Sequence, residues 1–93
     1  MFTETAPNLV TSDEGFSVHV LGRTGLQYTE GARTMRIDSE VLQGPSGMII
    51  YTDSIQRWDP PFEAEVVDNV RRSSIVERLR RAFRFWGFEP QIQ

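Results

Sequence analysis

The single histidine, His19, is the first place to look for catalysis in this chain. A Ser–His–acid triad needs a nucleophile and an orienting carboxylate converging on the imidazole. No Gly-x-Ser-x-Gly elbow is present to hold such a nucleophile. His19 instead alternates with apolar residues inside "FSVHVL", Phe16 to Leu21, as a strand-face residue does. Asp38 and Glu40 share one side of a strand by their spacing of two, an arrangement open to a hard cation. Neither a histidine nor a further acid lies close in sequence to complete a ligand set. Gly22 and Gly25 of "GRTG" have no Walker or dinucleotide framework around them and read as a turn. Cysteine is absent, which removes disulfides, thiolate zinc sites and cysteine nucleophiles together. The residues therefore point to no enzyme, no metal and no cofactor.

Charge is the next source of chemistry. The net charge is −3, unevenly spread. Residues 1–65 carry four arginines against ten acids, and residues 66–93 carry six arginines against three acids. Lysine is missing, so every basic side chain is a planar guanidinium suited to bidentate carboxylate or phosphate contact. Arg71, Arg78, Arg80, Arg81 and Arg84 gather near the C-terminal end. That face reads as solvated, as protein-binding, or as a small nucleic-acid-binding module with Phe85 or Trp86 stacking on bases. The acidic remainder of the chain opposes the last of these.

The stretch "SIQRWDPP", Ser54 to Pro61, joins an apolar run to the basic segment. Pro60 and Pro61 lack backbone donors and push Asp59 and Pro60 towards extended geometry, so no regular element runs through them. Trp58 has two readings there: a core residue closing the corner, or an exposed recognition residue.

The elements that must position these groups follow from periodicity. Met1 to Gly15 shows none and reads as a flexible tail, leaving residues 16–93 as one domain. Alternation marks strands at "FSVHVL", "LQYTE" with Leu26 and Tyr28 inward, "RTMRID" with Met35 and Ile37 inward, and "MIIY". "GRTG", "EGAR" and "GPSG" supply turns, so a meander is the economical order. From Asp68 to Trp86, residues Ile75, Val76, Leu79, Ala82, Phe83 and Trp86 fall in one helical stripe. Asp68 is a natural N-cap and Gly87 a natural stop. Glu77 stands three and four residues before Arg80 and Arg81, spacings at which helical ion pairs form. "FEPQIQ" alternates Phe88, Pro90 and Ile92 against polar residues, as a short edge strand would. The expected fold is α+β: an antiparallel meander of four to five strands, one long C-terminal amphipathic helix across one face, and a short final strand.

Taken together, "GRTGLQYTEGARTMRIDSEVLQGPSGMIIYTDSIQRWDPP" and "IVERLRRAFRFWGFE" resemble the bacterial immunity protein 74 family. The motifs that carry this are "YTEG" (Tyr28 to Gly31), "DSE" (Asp38 to Glu40), "IYTDSI" running into "RWDPP", and the Arg- and Phe-bearing final helix. The resemblance spans about residues 22 to 89 and implies a non-enzymatic protein that binds and occludes a cognate toxin domain of a polymorphic toxin system. On that implication Tyr28, Arg36, Arg57, Trp58 and Asp59 are the first candidates for partner contact, since Trp, Tyr and Arg anchor interfaces. Glu30, Asp38, Glu40 and Asp53 would steer a basic toxin inward. No run is long enough to span a bilayer and "MFTETAPNLVTSDEG" has no signal-peptide pattern, so a cytoplasmic location is expected.

Overall fold

The computed structural model describes residues 1–42, 47–87 and 89–93. Seven strands form one open sheet in chain order: β1 (Phe2–Ala6), β2 (Leu9–Ser12), β3 (Phe16–Val20), β4 (Thr24–Glu30), β5 (Arg33–Val41), β6 (Met48–Ile50) and β7 (Gln91–Ile92). Neighbours are antiparallel except β6 and β7. The one α-helix among the described residues, α1 (Asn69–Phe85), separates β6 from β7, and a parallel return needs such a crossover. The α+β architecture expected from periodicity is present, with a larger sheet.

Register puts one row of large apolar side chains under the helix. Val10 faces Val18, Val18 faces Tyr28, and Tyr28 faces Met35. These four are buried with Phe16, Leu26, Ile37, Met48 and Ile50. Ile75, Leu79, Ala82 and Phe83 of α1 join the same cluster, with Val76 and Trp86 at its margin. The predicted stripe is thus the face the helix buries, because a sheet with one apolar surface must be covered on that side. Asp68 caps α1 by accepting the Arg71 N–H at 2.8 Å. Gly87 ends it with φ 101°, a left-handed conformation that glycine adopts without a Cβ clash.

Residues 1–15, expected as a tail, instead form the β1–β2 hairpin at one end of the sheet. The absence of periodicity has a simple cause. The inner positions of this hairpin are Phe2, Glu4, Val10 and Ser12, so half of them are polar. Glu4 accepts the Trp86 indole N–H at 3.2 Å, and buried Ser12 accepts the Glu14 N–H at 3.0 Å. Phe85, off the stripe and half-exposed, packs on Phe2 with ring centroids 5.8 Å apart. Of the "GPSG" turn, Gly44, Pro45 and Ser46 lie outside the described residues, as does Phe88.

Among the described residues the opposite sheet face carries no helix. Thr3, Thr11, Ser17, Thr29 and Thr34 pair in register across five strands there. Threonine suits a pleated surface without asking for burial.

Candidate functional site

Beyond residue 38 the edge of β5 is covered by β6, which pairs with Ser39, Glu40 and Val41. The chain then turns through a short 3-10 segment, Thr52–Ser54, and runs back along β5 before entering α1. Three contacts pin this crossover. The Tyr51 N–H reaches the Asp38 carbonyl at 3.0 Å, and the Asp38 N–H donates to Ser54 Oγ at 2.9 Å. The Asp59 N–H donates to the Thr34 carbonyl at 2.8 Å. Farther on, Arg33 makes a bidentate pair with Glu65, both bonds 2.9 Å, and lies over the Phe62 ring.

The arch between these pins leaves a concavity of about 640 Å³, lined by Arg36, Asp38, Tyr51, Asp53, Ser54, Gln56, Arg57 and Asp59. Five sequence candidates meet there: Arg36, Asp38, Asp53, Arg57 and Asp59. Arg36 donates to Asp38 at 2.8 Å, and its guanidinium packs against Gly25, where a Cβ would come within 2.5 Å of it. Gly25 has φ 86°, so both its conformation and its bareness serve that contact. Glu40 stands just outside, accepting the Tyr51 phenol O–H at 2.9 Å. Tyr51, Ser54 and Gln56 were not among the candidates. Alternation from Met48 through Ile50 was the signal that places Tyr51 on the outer side.

Tyr28, Trp58 and Glu30 lie elsewhere. Tyr28 is fully buried and Trp58 is 3% exposed, so neither offers area to a partner. Their rings stack at 6.1 Å. Trp58 is therefore the corner residue: with Ile55 it points into the core, while its neighbours Arg57 and Asp59 point out. Glu30 sits under α1, taking Arg71 at 2.6 Å, Arg78 at 3.2 Å and the Tyr28 O–H at 3.3 Å. Burial pushes the Tyr28 phenol above its usual value, offset in part by Arg78, so it remains a donor.

Glu30 is one of several acids that hold the helix arginines. Arg80 and Arg84 share Glu89, and Arg81 pairs with Glu14 across the domain. Arg72 bonds the Ile55 carbonyl and Asn69. The local Glu77 pairs expected from spacing do not form. Hydrogen bonds from Arg81, Arg33 and Arg84 hold Glu14, Glu65 and Glu89 below the usual carboxylate range. The basic face is thus spent on intramolecular pairs, which removes the ground for a nucleic-acid module.

Among the described residues, the charged side chains left with neither a hydrogen bond nor an ion pair are Arg23, Asp53, Arg57, Asp59, Glu63 and Glu77. Three of these, Asp53, Arg57 and Asp59, line the concavity. His19 stands on the open sheet face between Leu9 and Gln27 and makes no hydrogen bond to an acid among the described residues. Among the described residues no group of His, Cys, Asp and Glu could hold a metal, and no helix is long and apolar enough to cross a membrane.

A family model described as immunity protein 74 matches residues 18–92. No curated protein and no solved structure matches the chain. The match runs from within β3 to β7 and takes in the whole crossover, so the chain belongs to the immunity protein 74 family.

Proposed function

Starting from membership of this family, we propose that the chain is a non-enzymatic inhibitor that neutralises a cognate bacterial toxin in the cytoplasm by seating it on the β5 concavity. One observation carries this reading. The domain satisfies most of its charges internally, yet Asp53, Arg57 and Asp59 are left unpaired around one concave surface. Holding charged groups unpaired and close together has no benefit for folding; it keeps them available to a partner. Two of the three are acids and Asp38 and Glu40 adjoin them, so the surface suits a toxin with a basic contact face and would speed its capture. Arg57 provides one extended guanidinium, a residue type favoured at the centre of interfaces. A specific interface takes roughly 800 Å² from each partner, so the contact would extend from the concavity onto its rim.

Co-expression with the protein encoded beside this chain's gene tests the proposal. The expected result is co-purification of that protein's toxin domain and restored growth of cells that the toxin alone would kill. A toxin domain that passes through the affinity column and kills regardless would end it.

A further inference from the structure

The main chain beneath the concavity adds something the side chains do not. Successive residues of a strand direct their N–H and C=O groups to alternate edges. Asp38 directs both of its groups away from β4, towards Tyr51 and Ser54, and Thr34 directs its carbonyl the same way, towards Asp59. Between residues 26 and 30 the β4–β5 register is regular, pairing Gln27 with Arg36. Arg36 lies two residues from each pinned neighbour, so its N–H and C=O must also point away from β4. β6 does not reach it, because that pairing starts at Ser39. No bond from the crossover reaches it either: the crossover touches β5 main chain at Thr34 and Asp38, and between those contacts lies the concavity that Arg36 lines with Ser54, Gln56, Arg57 and Asp59.

We infer that this gap is a main-chain docking notch: one residue of an extended segment from the toxin pairs with the Arg36 N–H and C=O, as a strand added to a sheet edge does. The inference rests on the toxin-binding reading above and specifies how the contact is made. Ser54 and Asp59 close the ends of the gap at Asp38 and Thr34, four residues apart on β5, a span of about 13 Å of extended strand. That length admits a loop tip or strand end and excludes a long added strand. Chemistry at the rim selects the flanking side chains. Asp53 and Asp59 are unpaired acids and Asp38 has only Arg36, so a Lys or Arg next to the docking residue gains a carboxylate partner. A neutral neighbour gains no such partner, and an acidic one can meet Arg57 only while facing the carboxylates of Asp53 and Asp59. Main-chain pairing supplies affinity and the carboxylates supply choice, the division seen when peptides extend sheets.

Amide hydrogen exchange by NMR on the whole chain, alone and mixed with the toxin domain encoded beside its gene, tests this. In the free protein the Arg36 amide should exchange much faster than those of Met35 and Ile37, which face β4. In the complex it should slow by at least about tenfold, the change expected of one net hydrogen bond. Arg36→Pro deletes the N–H, whereas Arg36→Ala keeps it. The proline variant should bind about tenfold more weakly than the alanine variant. A complex that forms with the Arg36 amide still exchanging freely overturns the notch while leaving toxin binding intact. Failure of the toxin domain to bind the unaltered chain overturns both. If the proline variant does not fold, the exchange measurement decides alone.

Discussion

Replacing Glu30 with alanine removes the acid on which two helix arginines converge. Its side chain is 20% exposed, that of Arg78 24% and that of Arg71 41%. Exposed pairs contribute about 0–1 kcal/mol, and breaking a buried pair costs about 3–5 kcal/mol. This site lies between, and solvent reaches the Arg71 end, so we expect a loss of about 2 kcal/mol. The Tyr28 O–H loses its acceptor too, although its oxygen still takes the Arg78 N–H at 3.1 Å. In urea the midpoint should fall with an unchanged slope, and the melting temperature should drop by about 10 °C for a domain of this size. A double-mutant cycle with Arg78→Met should return a coupling of at least about 0.5 kcal/mol. A loss below about 0.5 kcal/mol with no coupling would refute the reasoning. The guanidiniums would then be held by water, and the basic face would again be free for a polyanion.

Three further outcomes follow from the same packing. Trp58→Ala should cost about 3–5 kcal/mol, as truncation of a buried aromatic does, and a denaturation midpoint equal to that of the unaltered chain would return Trp58 to the surface. Gly25→Ala should cost about 1–3 kcal/mol, because it places a Cβ at positive φ and against the Arg36 guanidinium; urea titration measures it, and a neutral result would deny that contact. Glu14, Glu65 and Glu89 have lowered values in the folded protein, so their contribution is complete above the unfolded carboxylate range and fades as pH falls through the folded values. Urea midpoints should therefore hold between pH 7 and about 5 and decline below about pH 4; an unchanged midpoint at about pH 3 would contradict the arginine pairs.

The helix was legible because its apolar stripe repeats at the helical period from Ile75 to Trp86, and tertiary packing only had to supply a surface for it. β3 to β6 were legible by alternation. The β1–β2 hairpin was not, since Glu4 and Ser12 occupy inner positions and break the apolar pattern. For the site, alternation already placed Tyr28 inward beside Leu26, and that signal should outweigh its value as an interface residue type. Arg36 and Asp38 were legible as outward residues of one strand. Their meeting with Asp53, Arg57 and Asp59 was not, because it depends on Ser54 and Asp59 binding β5 main chain. Nor does helical spacing reveal that Arg81 reaches Glu14, 67 residues away, instead of Glu77.

The most direct test is calorimetric titration of the cognate toxin domain into two variants with unaltered melting curves. One carries Asp53→Ala, Arg57→Ala and Asp59→Ala, and the other carries Arg80→Ala and Arg84→Ala on the helix. Loss of the concavity charges should weaken binding by about a hundredfold or more, consistent with a few interface anchors carrying most of the affinity, and the helix variant should bind as the unaltered chain does. The reverse ranking, or equal affinity in both, would contradict the assignment of the β5 concavity as the docking surface.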